Sequence, residues 1–85
     1  DEYWLVRSNA AIALGMIGSS KASDALIDHL MYDSDPFVRA SSAEALGRIG
    51  DPKAADALIQ SLQDEESYYV KSKLSVALKN ILKNM

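Results

Sequence analysis

An internal repeat of 32 residues limits what this chain can fold into more than any other feature. Val6-Arg7 returns as Val38-Arg39 and as Val70-Lys71, Ala13-Leu14-Gly15 returns as Ala45-Leu46-Gly47, and Asp24-Ala25-Leu26-Ile27 returns as Asp56-Ala57-Leu58-Ile59. Residues 3–32 and 35–64 are identical at 15 of 30 positions with no gap. A period of this length marks stacked architectures, in which each unit buries its apolar face only against its neighbours.

Within each unit, apolar residues recur at helical spacing and are punctuated by glycine and proline. In the second unit Val38, Ser42, Ala45, Leu46 and Ile49 share a face, Pro36 stands at the start, and Gly50 is placed for a left-handed stop. Asp51-Pro52 then reads as a cap followed by proline at the first helical position, ahead of the stripe Ala54, Ala55, Leu58, Ile59 and Leu62. The register predicts one domain over 1–85 with five helices, at about 4–17, 21–32, 36–49, 52–63 and 68–82. The turns at 18–20 and 50–52 are short, so the helices they join are expected to be antiparallel neighbours. The result is an all-α solenoid of about two and a half helical hairpins.

Glycine recurs inside the helices at Gly15 and Gly47, where it costs about 1 kcal/mol relative to alanine, so close approach of another helix is expected there. The fifth helix has Lys79 in that register and reads as a polar cap, whereas the first helix reads as an unfinished end. Dimerisation through the first helix, or only marginal stability, is expected from that. A start at Asp1 without methionine is expected of an excised or processed segment.

The motif Val-Arg-x-x-Ala-Ala-x-Ala-Leu-Gly-x-Ile-Gly, carried from Val6 to Gly18 and with small changes from Val38 to Gly50, resembles the HEAT-like repeats of phycobilisome lyase type. The resemblance covers nearly the whole chain and implies a HEAT/armadillo-like superhelix with concave and convex faces. It is specific for the repeat and not for an activity. Deoxyhypusine hydroxylases of this class hold a di-iron centre with His-Glu pairs, and this chain has none, with His29 its single histidine. Phycobilin lyase subunits use similar repeats, which leaves a fragment of a chromophore-handling or accessory subunit as an alternative. HEAT-like DNA glycosylases line their concave face with basic and aromatic residues.

The formal charge of −3 argues against nucleic acid, whose binders carry a clustered basic excess. Cysteine is absent, so there is no disulfide or thiolate ligand, and no apolar run reaches the roughly 20 residues of a membrane span. A cytoplasmic location is expected. No phosphate loop, catalytic triad or metal-ligand spacing is present, so neither cofactor nor intrinsic catalysis is expected.

The expected role is therefore a protein-interaction scaffold for a protein or peptide partner. The first, third and fifth helices should present the outward columns Ser8, Ile12, Met16; Ala40, Glu44, Arg48; and Ser72, Val76, Lys79. Trp4, Leu5, Phe37, Tyr68 and Tyr69 gather at the starts of those helices, either as staples against neighbouring helices or as a recognition ridge, with Trp4 expected exposed. Candidate partner-binding residues are thus Trp4, Ser8, Ile12, Met16, Arg48, Tyr68 and Val76. Arg7, Arg39 and Lys71 form a ladder expected to be structural, pairing with acids among Asp33, Asp35, Asp64, Glu65 and Glu66.

Overall fold

Side chains placed one residue before a helix set where two of the helices begin. Asp35 has extended backbone, and its carboxylate accepts from the amides of Phe37 (2.8 Å) and Val38 (3.3 Å), while Ser67 does the same for Val70 (3.3 Å). Pro36 fills the first helical position, where its missing N–H is not needed. The computed structural model describes residues 3–85 and contains five α-helices: α1 (Tyr3–Ile17), α2 (Ser23–Tyr32), α3 (Pro36–Ile49), α4 (Ala55–Asp64) and α5 (Tyr68–Lys83). The described residues contain no strand.

Gly50 ends α3 at φ +74°, a conformation that a side chain would strain, and its amide donates to the Leu46 carbonyl at 2.9 Å. Asp51 and Ser19 then accept from the amides two residues on, Lys53 and Lys21, which tightens the next turn. Pro52–Ala54 and Ser20–Ala22 are accordingly wound as 3-10 turns, and the α-helices proper begin at Ala55 and Ser23, later than the sequence pattern implies.

The helices form two layers. α1, α3 and α5 stack side by side, and α2 and α4 lie across them, giving an all-α solenoid. The pairing differs from the sequence expectation. The short turns do join α1 to α2 and α3 to α4, but the tightly packed hairpins are α2 with α3 and α4 with α5. Bulk decides this: Leu26 and Leu30 of α2 share one buried cluster with Ala43 and Leu46 of α3, while α1 and α2 enclose a crevice of about 190 Å³.

The two helical glycines explain the tight stacking of the first layer. A Cβ on Gly15 would lie 2.7 Å from the Cα of Ala45, and one on Gly47 would lie 2.8 Å from the Cα of Ala77. Backbone meets backbone there, and the propensity cost of glycine is offset by closer contact along both helices. Lys79, in the same register, is exposed. Leu58, Val70, Leu74 and Ile81 complete the core between the layers, each essentially inaccessible. None of these helices is long and apolar enough to cross a membrane.

Candidate functional site

The arginine after each valine reaches across the stack. Arg7 donates from Nε and Nη2 to the Asp33 carboxylate at 2.9 and 3.1 Å, and Arg39 donates to Glu65 at 2.8 and 3.1 Å, two-pronged pairs with the same spacing of 26 residues. Arg39 also donates to the carbonyls of Asp33 and Ser34, satisfying the end of α2. The acids in turn accept from the amides of Asp35 and Ser67. Burial pushes the Asp33 carboxyl upward, but hydrogen bonds from Arg7, the Asp35 amide and His29 outweigh it and hold the group below its ordinary range. For Glu65 the hydrogen bond from Arg39 is the largest influence and lowers it, against burial. Lys71 departs from the expected ladder: among the described residues it makes no ion pair.

The outward face of α1, α3 and α5 is built of rungs that follow the 32-residue register. Leu5, Phe37 and Tyr69 form the first rung, all half exposed. Phe37 packs with Trp4 on one side (ring centres 5.4 Å apart) and with Tyr69 on the other (5.7 Å). Trp4 is therefore half-buried as a packing residue, contrary to the exposure expected of it. Ser8 and Ala40 also leave the expected columns. Ser8 is buried at the α1–α3 contact with its hydroxyl 2.6 Å from that of Ser41, so Asn9 and Ser41 occupy the outward positions.

Ile12, Met16, Arg48 and Val76 do face outward, with Met16 72% exposed. Tyr68 is 84% exposed, but it belongs to the rim of α5, apart from the Trp4–Phe37–Tyr69 row. Between α3 and α5 lies a groove of about 290 Å³ lined by Glu44, Arg48, Lys73, Val76, Ala77 and Asn80. Lys73 donates to Glu44 at 3.0 Å and stands 5.8 Å from the centre of the Tyr69 ring. The Glu44 carboxylate, through that hydrogen bond and its charge, raises Lys73 above the ordinary lysine range. Sequence reasoning missed Lys73, whose neighbours along the chain gave no sign that it faces Glu44.

The charge distribution is also uneven. Helix α5 carries Lys71, Lys73, Lys79 and Lys83 and no acid, so the overall −3 divides into +4 on α5 and −7 elsewhere. Among the described residues Arg48, Lys71, Lys79 and Lys83 form no ion pair. The acids gather at the turns between the layers, where Asp33, Asp64, Glu65 and Glu66 line a polar crevice.

Comparison with known proteins corrects the functional expectation. Two solved structures superpose on this chain at 28% sequence identity. One is a selenomethionine-labelled epoxyqueuosine reductase (TM-score 0.82, 87% of this chain), and the other is an epoxyqueuosine reductase with an epoxyqueuosine-modified tRNA-Tyr stem loop (TM-score 0.84, 88% of this chain). The chain spans about a fifth of the length of each, 20%. A protein-interaction scaffold, with a chromophore lyase fragment as its alternative, is therefore not the reading to keep, because the similar structures are parts of a reductase. No curated protein matches the sequence. The family described as HEAT repeats matches residues 1–79, and with the stacked helices and glycine contacts seen above, the chain belongs to the HEAT repeat family.

Proposed function

We propose that this chain is an RNA-docking module of a tRNA-modifying enzyme, seating a stem loop against the outward face of α3 and α5. The observation that carries the reading is the segregation of charge. Arg48 and Lys73 line the groove on that face and Lys79 and Lys83 are exposed along α5, and of these four only Lys73 is ion-paired among the described residues. Cations so placed bind phosphates by releasing condensed counterions, and this term is set by local charge rather than by the net charge of the chain. The half-exposed rings of Phe37 and Tyr69 add surfaces on which an unpaired base stacks. The acidic turns repel the backbone and so fix which side of the layer it meets. The likeness to an epoxyqueuosine reductase with a tRNA stem loop supports this reading. In this role the chain binds and orients, and the reduction belongs to other parts of such an enzyme.

Fluorescence anisotropy with a labelled RNA stem loop tests the proposal. Binding at low salt is expected, with marked loss in a Lys73→Ala/Lys79→Ala variant and little change in Lys21→Ala/Lys53→Ala, whose lysines lie at the starts of the other layer. Failure of the parent chain to bind at about 50 mM salt, where weak electrostatic association is strongest, overturns it. Equal loss in both variants does the same.

A further inference from the structure

The copies of the repeat keep the residues that stack and change those that face outward. Ala13, Ala45 and Ala77 are identical, as are Leu14, Leu46 and Leu78. Two outward rungs read Ile12, Glu44, Val76 and Met16, Arg48, Asn80, different in every copy. Their members on α1 are apolar, so the polar ones converge only between α3 and α5, on the groove of about 290 Å³.

The groups in that groove form a donor and acceptor set. Lys73 donates to Oε1 of Glu44 at 3.0 Å, and a carboxylate has acceptor capacity beyond one such bond. Arg48 lines the same groove one helical turn further along α3, makes no ion pair among the described residues, and carries its N–H donors in a flat fork. Side chains four positions apart on a helix start about 5–6 Å from each other, comparable to the distance between the two hydrogen-bonding edges of a purine. Val76, 58% exposed, gives the opposite wall an apolar surface for a flat ring.

We propose that this groove takes one unpaired base of the docked RNA and selects guanine, an inference that rests on the docking role proposed above. Arg48 donates two parallel N–H bonds to O6 and N7 of the base, and the Glu44 carboxylate accepts from its N1–H edge. Adenine has an amino group where guanine has O6 and would meet Arg48 donor against donor, and pyrimidines have no N7. Guanines paired in an A-form stem keep one edge in the base pair and the other in a groove too narrow for side chains, so the selection acts on the loop. Glutamine at position 44 keeps an acceptor while freeing Lys73, so that change shifts both kinds of loop together; Arg48 is the residue that tells them apart.

The test is fluorescence anisotropy with two hairpins of one stem, whose loops of uridines carry a single guanine or a single adenine. The guanine loop should bind the parent chain tighter by about fivefold or more. Arg48→Lys keeps the charge and loses the fork, so it should bring the guanine loop down to the level of the adenine loop and leave the latter little changed. Lys79→Ala, outside the groove, should weaken both loops alike and preserve their ratio. Equal affinity of the parent chain for the two loops would overturn guanine selection while docking stands. A preference that survives Arg48→Lys would overturn the assignment to this groove and leave Arg48 as a phosphate contact. Absence of binding by either loop would overturn docking itself and this inference with it.

Discussion

The Cα of Ala77 lies 2.8 Å from where a Cβ on Gly47 would stand, inside the distance that real Cβ atoms keep. The nearest atom is backbone, so no side chain can swing away, and α3 and α5 must separate to admit a methyl group. Gly47→Ala is therefore expected to destabilise by about 1–3 kcal/mol, after partial offset by the roughly 1 kcal/mol gain in helix propensity. Ala77→Gly in the same chain should recover part of the loss. Urea denaturation of the single and double variants checks this, and a stabilised single variant would disprove the contact.

Arg39 and Glu65 give stability a defined pH dependence. Glu65 has a folded pKa below its ordinary value near 4.3, so its contribution is present above that pH and is lost as pH falls through the folded value. Asp33 acts in the same direction. Arg39→Met should cost about 1–2 kcal/mol at neutral pH, less than a fully buried pair because solvent reaches the guanidinium, and it should flatten the acid limb. Unfolding midpoints from pH 6 to pH 3 measure both effects. An unaltered acid limb would mean that other carboxylates set it.

Ser42 is fully buried, and its hydroxyl has no hydrogen-bond partner. The same register holds Ala10 and Leu74, so the position does not call for a polar group. Ser42→Ala removes the desolvation cost of an unmade hydrogen bond and is expected to stabilise by about 1 kcal/mol, as read by thermal unfolding. Destabilisation would show that the hydroxyl is satisfied.

Glu44 holds Lys73 on the proposed RNA-docking face. Glu44→Gln frees that cation and removes a repelling carboxylate, so affinity for an RNA stem loop should rise about threefold to tenfold, and the slope of log affinity against log salt should steepen by roughly 0.7–0.9 for one added phosphate contact. Anisotropy titrations over a salt series decide it. Unchanged affinity would place the RNA elsewhere.

Much of the fold is legible in the sequence because repetition amplifies local signals. Gly15 and Gly47 point to close helix contacts only as a pair, and Lys79 becomes informative only in their register. The pairing of α2 with α3 is less legible, since a period fixes spacing and not the point at which one unit ends; the bulk of Leu26 and Leu30 settles it in three dimensions. The ladder offered five acids as partners, and the turn geometry selects Asp33 and Glu65. Ser8 misleads because it is small enough to enter the α1–α3 contact, where polarity alone implies an outward position. Net charge says nothing of where charges sit, and the four lysines of α5 are offset in the total by acids on the other elements.

The unbroken register makes the interfaces between units interchangeable, with the Arg7–Asp33 and Arg39–Glu65 pairs as successive copies of one joint. A gene segment encoding 32 residues could be copied or deleted in that register without creating an ill-fitting junction. Lys79 stands in the register where Gly15 and Gly47 admit a neighbouring backbone, so a helix meeting α5 at that position would be held off by a long side chain.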